Sequence, residues 1–334
     1  MYFYIVKKTL LVNYLCLFSL IFCQAIDFNH NGYIRQYFLH QPENIQVGAP
    51  LVFALHGYGG GPDWMIDNTG LNEIADQNGF AVCYPMGTTD SWNNRFWNVG
   101  YAFHDEIEIN DVDFLSSLAH FLHNEYGYSP NKTYSTGMSN GGDMSYMLGC
   151  QASDIFRSIA PVAGSMMETI YNSCNSVPIS VLEIHGTNDS ITLWNGDMEN
   201  NDGWGAYLGT EAGIEFWSGS SNCLYSEDIV LFGLNTINHR YFGCDNNTEV
   251  WLYEVVNGGH DWPSFASQEI WDFFTQFSSI EEDINLDGVV NILDVIQIVN
   301  LILQPDSDNI GDINNDYNVD VLDVILLVNL ILSY

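Results

Sequence analysis

Short apolar runs alternate with longer amphipathic stretches from about Ile26 to Phe277, the order expected when strands of a mostly parallel sheet are joined by helices. The runs at residues 51–55, 81–84, 133–136, 158–162, 179–184 and 250–255 predict strands. Between them, residues 112–126 place Phe114, Leu115, Leu118, Phe121 and Leu122 on one helix face, and residues 265–277 close the domain as another helix. The pattern predicts an α/β fold.

Both ends of the chain break this pattern. Residues 1–25 read as an export signal: Lys7 and Lys8, an apolar run over 10–22, then Cys23-Gln24-Ala25 as a small-x-small cleavage site. A spanning helix is the alternative, but the run is short of the roughly 20 apolar residues a span needs. Lipoprotein attachment at Cys23 is another, with bulky Phe22 against it. Residues 26–278 then form the large domain. From 279 to 334 the composition changes: residues 281–334 hold eleven acidic residues, no Lys or Arg, and two similar blocks offset by 29 positions.

The first block carries Asp283, Asn285, Asp287, Val289, Asn291 and Asp294 at positions 1, 3, 5, 7, 9 and 12 of a loop, with Gly288 at position 6. That is the spacing of a calcium loop, in which alternate oxygen ligands surround a hard cation, a glycine allows the sharp turn and position 7 offers its carbonyl. The second block repeats it with Asp312, Asn314, Asp316, Asn318, Asp320 and Asp323, but has Tyr317 where the turn prefers glycine. Each loop runs into an apolar helix, and two structural Ca²⁺ ions are expected.

Composition narrows the partners. With 334 residues, 47% of them hydrophobic, the chain has material for a full core. Seven Lys and Arg against 42 Asp and Glu give a net charge of -35, which excludes a general nucleic-acid binder because phosphate contacts run on Lys and Arg. Either a solvated surface suited to salty surroundings or a run of cation sites accounts for the excess.

Beyond residue 25 the cysteines are Cys83, Cys150, Cys174, Cys223 and Cys244, so at least one is unpaired. An exported chain meets an oxidising compartment, and proximity suggests Cys150 with Cys174 and Cys223 with Cys244. Cys83 then lies within an apolar run as a core thiol rather than a nucleophile.

Chemistry centres on Gly137-Met138-Ser139-Asn140-Gly141-Gly142, directly after one predicted strand and before a helical run. Small residues on both sides let a serine sit on a tight strand-to-helix turn with its hydroxyl exposed, and the helix N-terminus favours developing negative charge. An orienting acid and a base should follow in that order. Asp189 in His185-Gly186-Thr187-Asn188-Asp189 and His260 in Gly258-Gly259-His260-Asp261-Trp262-Pro263 each follow a predicted strand. The loop Leu55-His56-Gly57-Tyr58-Gly59-Gly60-Gly61 is placed to supply an oxyanion donor, and the assigned N–H groups are those of Tyr58 and Asn140. A phosphate-binding role for this loop would want a lysine it lacks. Trp64, Trp194 and Trp262 lie within a few residues of these loops and are candidates for a substrate pocket, or ordinary core rings.

Over about residues 30–277 these segments resemble the secreted esterases that include polyhydroxybutyrate depolymerases and the feruloyl and acetylxylan esterases of carbohydrate esterase family 1. Residues 35–42 resemble that family's first strand. The resemblance implies an α/β-hydrolase fold, a Ser139–His260–Asp189 triad forming an acyl-enzyme without a catalytic cofactor, and a pairing of Cys223 with Cys244. Around Trp92-Asn93 the chain lacks cysteines that many members have. The C-terminal blocks resemble a type I dockerin, which implies a small all-α calcium module that binds a cohesin and tethers an enzyme to a scaffold or cell surface. At loop positions 10 and 11 this chain has Ile292-Leu293 and Val321-Leu322 where that family often has Ser-Thr, and a calcium-folded cap without a partner is the alternative. The expected protein is an extracellular serine esterase acting on feruloyl or acetyl esters of polysaccharide. A polyester depolymerase, a peptidase on the same fold, and an inactive α/β binding unit on a scaffold are the competing readings.

Overall fold

In the computed structural model the chain runs through β1 (Ile26–His30), β2 (Tyr33–His40), β3 (Leu51–Leu55), α1 (Pro62–Thr69), α2 (Leu71–Asn78), β4 (Ala81–Pro85), β5 (Thr88–Thr89), β6 (Arg95–Phe96) and α3 (Asp111–Tyr126). It continues through β7 (Thr133–Met138), α4 (Asn140–Gln151), β8 (Ser158–Val162), α5 (Glu168–Asn172), β9 (Ser180–Gly186), α6 (Thr210–Ser220), β10 (Tyr225–Leu231), β11 (Thr236–Phe242), β12 (Val250–Val255) and α7 (Ala266–Gln276). Two further helices, α8 (Ile292–Ile302) and α9 (Val321–Ser333), follow. The structure describes residues 25–104, 107–175, 178–231, 233, 235–276, 284–285, 290–303, 311–314 and 318–333. The export signal expected over 1–25 and the domain boundary near 278 lie outside the described residues or on their edge.

A ten-stranded sheet in the order β1-β2-β4-β3-β7-β8-β9-β12-β11-β10 organises the large domain. Its middle, β4-β3-β7-β8-β9-β12, is parallel throughout. Every residue of β3, β7, β8 and β9 is buried. Strands covered on both faces read as continuous apolar runs, which is why the sequence predicts this part. The margins β1-β2 and β11-β10 are antiparallel. They were not among the predicted strands apart from β2, which the resemblance implied. Edge strand β10, Tyr-Ser-Glu-Asp-Ile-Val-Leu, is exposed along nearly its whole length and has no buried face to impose a pattern.

Helices cover both faces. One layer buries Phe114, Leu115, Leu118 and Leu122 of α3, Leu148 of α4 and Trp217 of α6 against the sheet. The other buries Met65 of α1, Leu71 and Ala75 of α2, and Ile270, Phe273 and Phe274 of α7. Helix α3 starts where the Asn110 side chain accepts the Asp113 amide and stops at Gly127, whose φ of 71° suits a left-handed cap. Disulfides Cys150–Cys174 and Cys223–Cys244 form as expected, the latter across the base of the β10–β11 hairpin. Cys83 is unpaired and buried in β4, and burial pushes its thiol well above the ordinary range.

Helices α8 and α9 pack through Val295, Ile298 and Leu327, together with Ile284. Asn291 and Asp294 form a capping box at the start of α8. No helix among the described residues is long and apolar enough to cross a membrane.

The turn from β7 into α4 permits no side chain at Gly141. A Cβ there would run into the Leu55 carbonyl and lie 2.8 Å from the His56 carbonyl oxygen. Gly141→Ala should therefore cost at least about 3 kcal/mol in urea unfolding. Gly219→Ala, where a Cβ meets nothing within 4 Å, should be neutral or stabilise by up to about 1 kcal/mol. Equal stability of the two variants would refute the steric argument.

Candidate active site

Ser139 stands between β7 and α4 with φ 56° and ψ -120°, in a region that non-glycine residues rarely occupy. Its amide donates to the Val162 carbonyl at 2.9 Å, and its carbonyl accepts the Asp143 amide at 2.9 Å. The next residue, Asn140, is buried and clamps Trp97: its Oδ1 accepts the Trp97 amide at 2.7 Å and its Nδ2 donates to the Trp97 carbonyl at 3.1 Å. The Trp97 indole donates to the His56 carbonyl at 2.9 Å, so the serine turn and the loop after β3 are tied together.

In that loop His56 accepts the Gly87 amide at Nε2, so its proton sits on Nδ1 facing the Gly57 carbonyl. Burial lowers its pKa to about 4 and keeps it neutral. Tyr58 is held through its hydroxyl, which donates to Asp90 Oδ2 at 2.6 Å and accepts from Asn94 at 2.9 Å. Burial alone would raise the Asp90 carboxyl, but hydrogen bonds from Tyr58, the Asn94 amide, His104 and the Trp92 amide outweigh it and hold it at about 2.

The loops that carry Asp189 and His260 are laced together by their backbones. Past the end of β9, the Thr187 amide donates to Val255 at 3.0 Å and the Asn188 amide to Gly258 at 2.9 Å, while the Asn257 amide donates to Thr187 Oγ1 at 2.8 Å. A Cβ on Gly186 would run into the backbone of Gly258 and Gly259, so glycine is needed for this approach. Asp189 Oδ1 accepts the Ile191 and Thr192 amides at 2.8 and 2.9 Å, and Oδ2 lies 2.7 Å from His260 Nδ1. Burial opposes ionisation of Asp189, but His260 and the Ile191 amide prevail and its pKa is lowered.

A small cleft opens beside Ser139, walled by Tyr101, Asp143, Ser165, Met167, Ile191, Thr192, Trp204 and Tyr207. Its aromatic residues differ from those chosen from the sequence. Trp64 lies on α1 and is 39% exposed, the Trp194 ring stands edge-on to His185, and the Trp262 indole donates to Ser267. Proximity along the chain placed them near the loops but not on this pocket's wall. Sequence reading missed Asp143, although a residue four places after Ser139 lies on the same side of the turn into α4. Trp204 and Tyr207 come from the long segment between Asp189 and α6, where no periodicity marks them.

Of the calcium candidates, Asp283, Asp287, Val289 and Asp316 lie outside the described residues. Asp294 and Asp323, expected to be ligands at position 12, are fully buried. Both oxygens of Asp294 accept loop amides, from Asn285 and Asn291, and Asp323 accepts those of Ile313, Asn314 and Asp320. Among the described residues no group of three or more His, Cys, Asp or Glu is arranged to hold a metal ion.

A model of the family described as Esterase PHB depolymerase matches residues 36–201, just under half of the chain. Over 250 residues the chain is 24% identical to a bifunctional acetylxylan esterase/xylanase of Neocallimastix patriciarum, covering 73% of this chain and 33% of that protein. It is 25% identical over 235 residues to feruloyl esterase B of Piromyces equi, covering 69% of this chain and 42% of that one. The chain thus spans a third to a half of the first curated relatives it matches. Among solved structures, an acetyl xylan esterase from Aspergillus awamori superposes with a TM-score of 0.56 at 13% identity, over 75% of this chain and 99% of that one. The fold is α/β-hydrolase-like, and the proteins that the chain resembles are carboxylic ester hydrolases.

Asp143 gives the site a measurable signature. Burial raises its carboxyl from the ordinary 3.8 to about 6, so the folded state binds this proton more tightly than the unfolded chain. Its contribution to stability is complete below the unfolded pKa and is lost as pH rises through 6. Between pH 4 and 7 the protein should lose on the order of 2–3 kcal/mol relative to Asp143→Asn, read from urea unfolding at each pH. Parallel stability curves would exclude the shift.

Proposed function

We propose that the chain is a secreted serine carboxylic ester hydrolase acting on feruloyl or acetyl esters carried by polysaccharide. The observation that carries this reading is the 2.7 Å contact between Asp189 and His260, formed by loops after β9 and β12, with strained Ser139 lining a pocket. In this mechanism Ser139 Oγ attacks the ester carbonyl while His260 Nε2 takes its proton. Asp189 holds the ring through Nδ1–H and stabilises the imidazolium. The oxygen that becomes negative is met by the amides of Tyr58 and Asn140, the latter at the α4 N-terminus. The imidazolium then protonates the departing alcohol. Water, deprotonated by His260, attacks the acyl-enzyme and releases the acid with Ser139 restored.

The relatives' names support the ester class, and Tyr101, Trp204 and Tyr207 offer flat walls suited to an acyl group or sugar. The matched family's description favours a polyester substrate as the second reading. Disulfides and the leader pattern support export. Residues 279–334 are proposed as a dockerin-like module folding around calcium and tethering the enzyme to a cohesin or surface, on the strength of the repeated loop spacing.

Wild type and Ser139→Ala should be compared on methyl ferulate, acetylated xylan, a 4-nitrophenyl acyl series and a polyhydroxybutyrate film. The variant should lose at least about 10³-fold in kcat on the cleaved ester. Film clearing without ferulate or acetylxylan turnover would select the polyester reading, and wild-type rates in the variant would overturn the serine mechanism. Chelation should expose residues 281–334 to protease before the large domain opens. Unchanged protection would overturn the calcium proposal.

A further inference from the structure

Strand β9 carries two buried ionisable groups that the mechanism above leaves unused. Glu183 is fully buried and His185 nearly so, on a strand whose other side chains include Val181, Leu182 and Ile184. His185 Nδ1 lies 2.8 Å from Glu183 Oε1, and its Nε2 lies 2.9 Å from the Thr192 carbonyl oxygen. The same Nε2 is 3.6 Å from Asp189 Oδ2, the oxygen that meets His260.

These contacts constrain the protons. A carbonyl oxygen only accepts, so Nε2 carries a hydrogen. The Glu183–His185 contact then needs one more proton, on Oε1 or on Nδ1. On Nδ1 it makes His185 an imidazolium held between two carboxylates. Burial pushes Glu183 up to about 7, and its contact with His185 raises the imidazole despite burial, so each group holds a proton more tightly than it would in water. Tyr146 of α4 lies beside Glu183, the Trp194 ring stands edge-on to His185, and Asp143 is the other carboxylate close enough to act on Glu183 and on His260.

We propose that Glu183 and His185 are positioning residues, a buried carboxylate–imidazolium pair that holds Asp189 ionised and in place and so sets the pH at which the His260 base works. This deepens, and rests on, the serine-hydrolase reading. The pair also grips the pocket wall: Thr192 gives its amide to Asp189 and accepts His185 at its carbonyl. A buried charged pair is costly to desolvate compared with an apolar pair of the same size, so its place beneath Asp189 needs a reason beyond packing.

Glu183→Gln tests this in the full chain. A glutamine amide donates to Nδ1 and leaves His185 neutral, removing a positive charge from beside Asp189. The acid limb of kcat/KM against pH, measured on a 4-nitrophenyl ester, should move to higher pH by about half a unit or more. A folded variant with an unmoved acid limb and only a lower Tm would assign a structural role and overturn the proposal. Histidine-labelled ¹⁵N spectra of the wild type supply a test that needs no variant. At pH 7 the imidazole in contact with Thr192 should carry protons on both ring nitrogens, and a singly protonated ring there would overturn the proposal. The spectrum is independent of turnover, so a failure of the serine mechanism, seen as wild-type rates in Ser139→Ala, is distinguishable from a failure of the pair.

Discussion

The strained turn at Ser139 is the constraint around which the rest of the large domain is arranged. A serine with φ of 56° costs on the order of 1–3 kcal/mol and persists only where its surroundings over-determine it. Here the Ser139 amide is taken by Val162 of the neighbouring strand, and Gly141 lies against the carbonyls of Leu55 and His56. Asn140, Trp97 and His56 then carry the constraint into the loop holding Tyr58. Strands β3, β7 and β8, buried along their whole length, meet at this turn and support the strained residue.

How much of this could be read from the sequence depended on burial. The middle strands were legible because both faces are covered, which turns Leu51–Leu55 or Ser158–Val162 into unbroken buried runs. Ser139, Asp189 and His260 were legible because turn chemistry around them is local: glycines that permit close approach lie next to them in the chain. The pocket wall was not. Trp204 and Tyr207 from one segment and Tyr101 from another line the same pocket as Ser139, and only tertiary structure brings them together. Asp90, which holds Tyr58 from 32 residues away, was equally invisible. The C-terminal repeat is a different case, since its spacing is plain in the sequence while several of its loop positions lie outside the described residues.

Exposed apolar side chains follow that repeat. Ile292, Leu293 and Ile296 on α8 correspond to Val321, Leu322 and Ile325 on α9 at the same 29-residue offset, and all are at least half exposed. The duplication has preserved side-chain type on the outer face as well as in the core. Packing alone explains Ile298 and Leu327, which are fully buried, but not these outer residues.

Charge balance explains why most buried carboxylates are met by groups other than Lys or Arg. With seven Lys and Arg for 42 Asp and Glu, few cations are available as partners. Arg35 pairs with buried Asp111, and Arg240 pairs with Glu249 and Glu227. Elsewhere the counter-groups are imidazoles, hydroxyls and backbone amides: His104 and Tyr58 on Asp90, His260 on Asp189, His185 on Glu183, Tyr101 and Ser165 on Asp143. Unlike an arginine, an imidazole partner exchanges its proton near neutral pH. The contact between Asp189 and His260 is one instance of how this protein keeps negative charge inside.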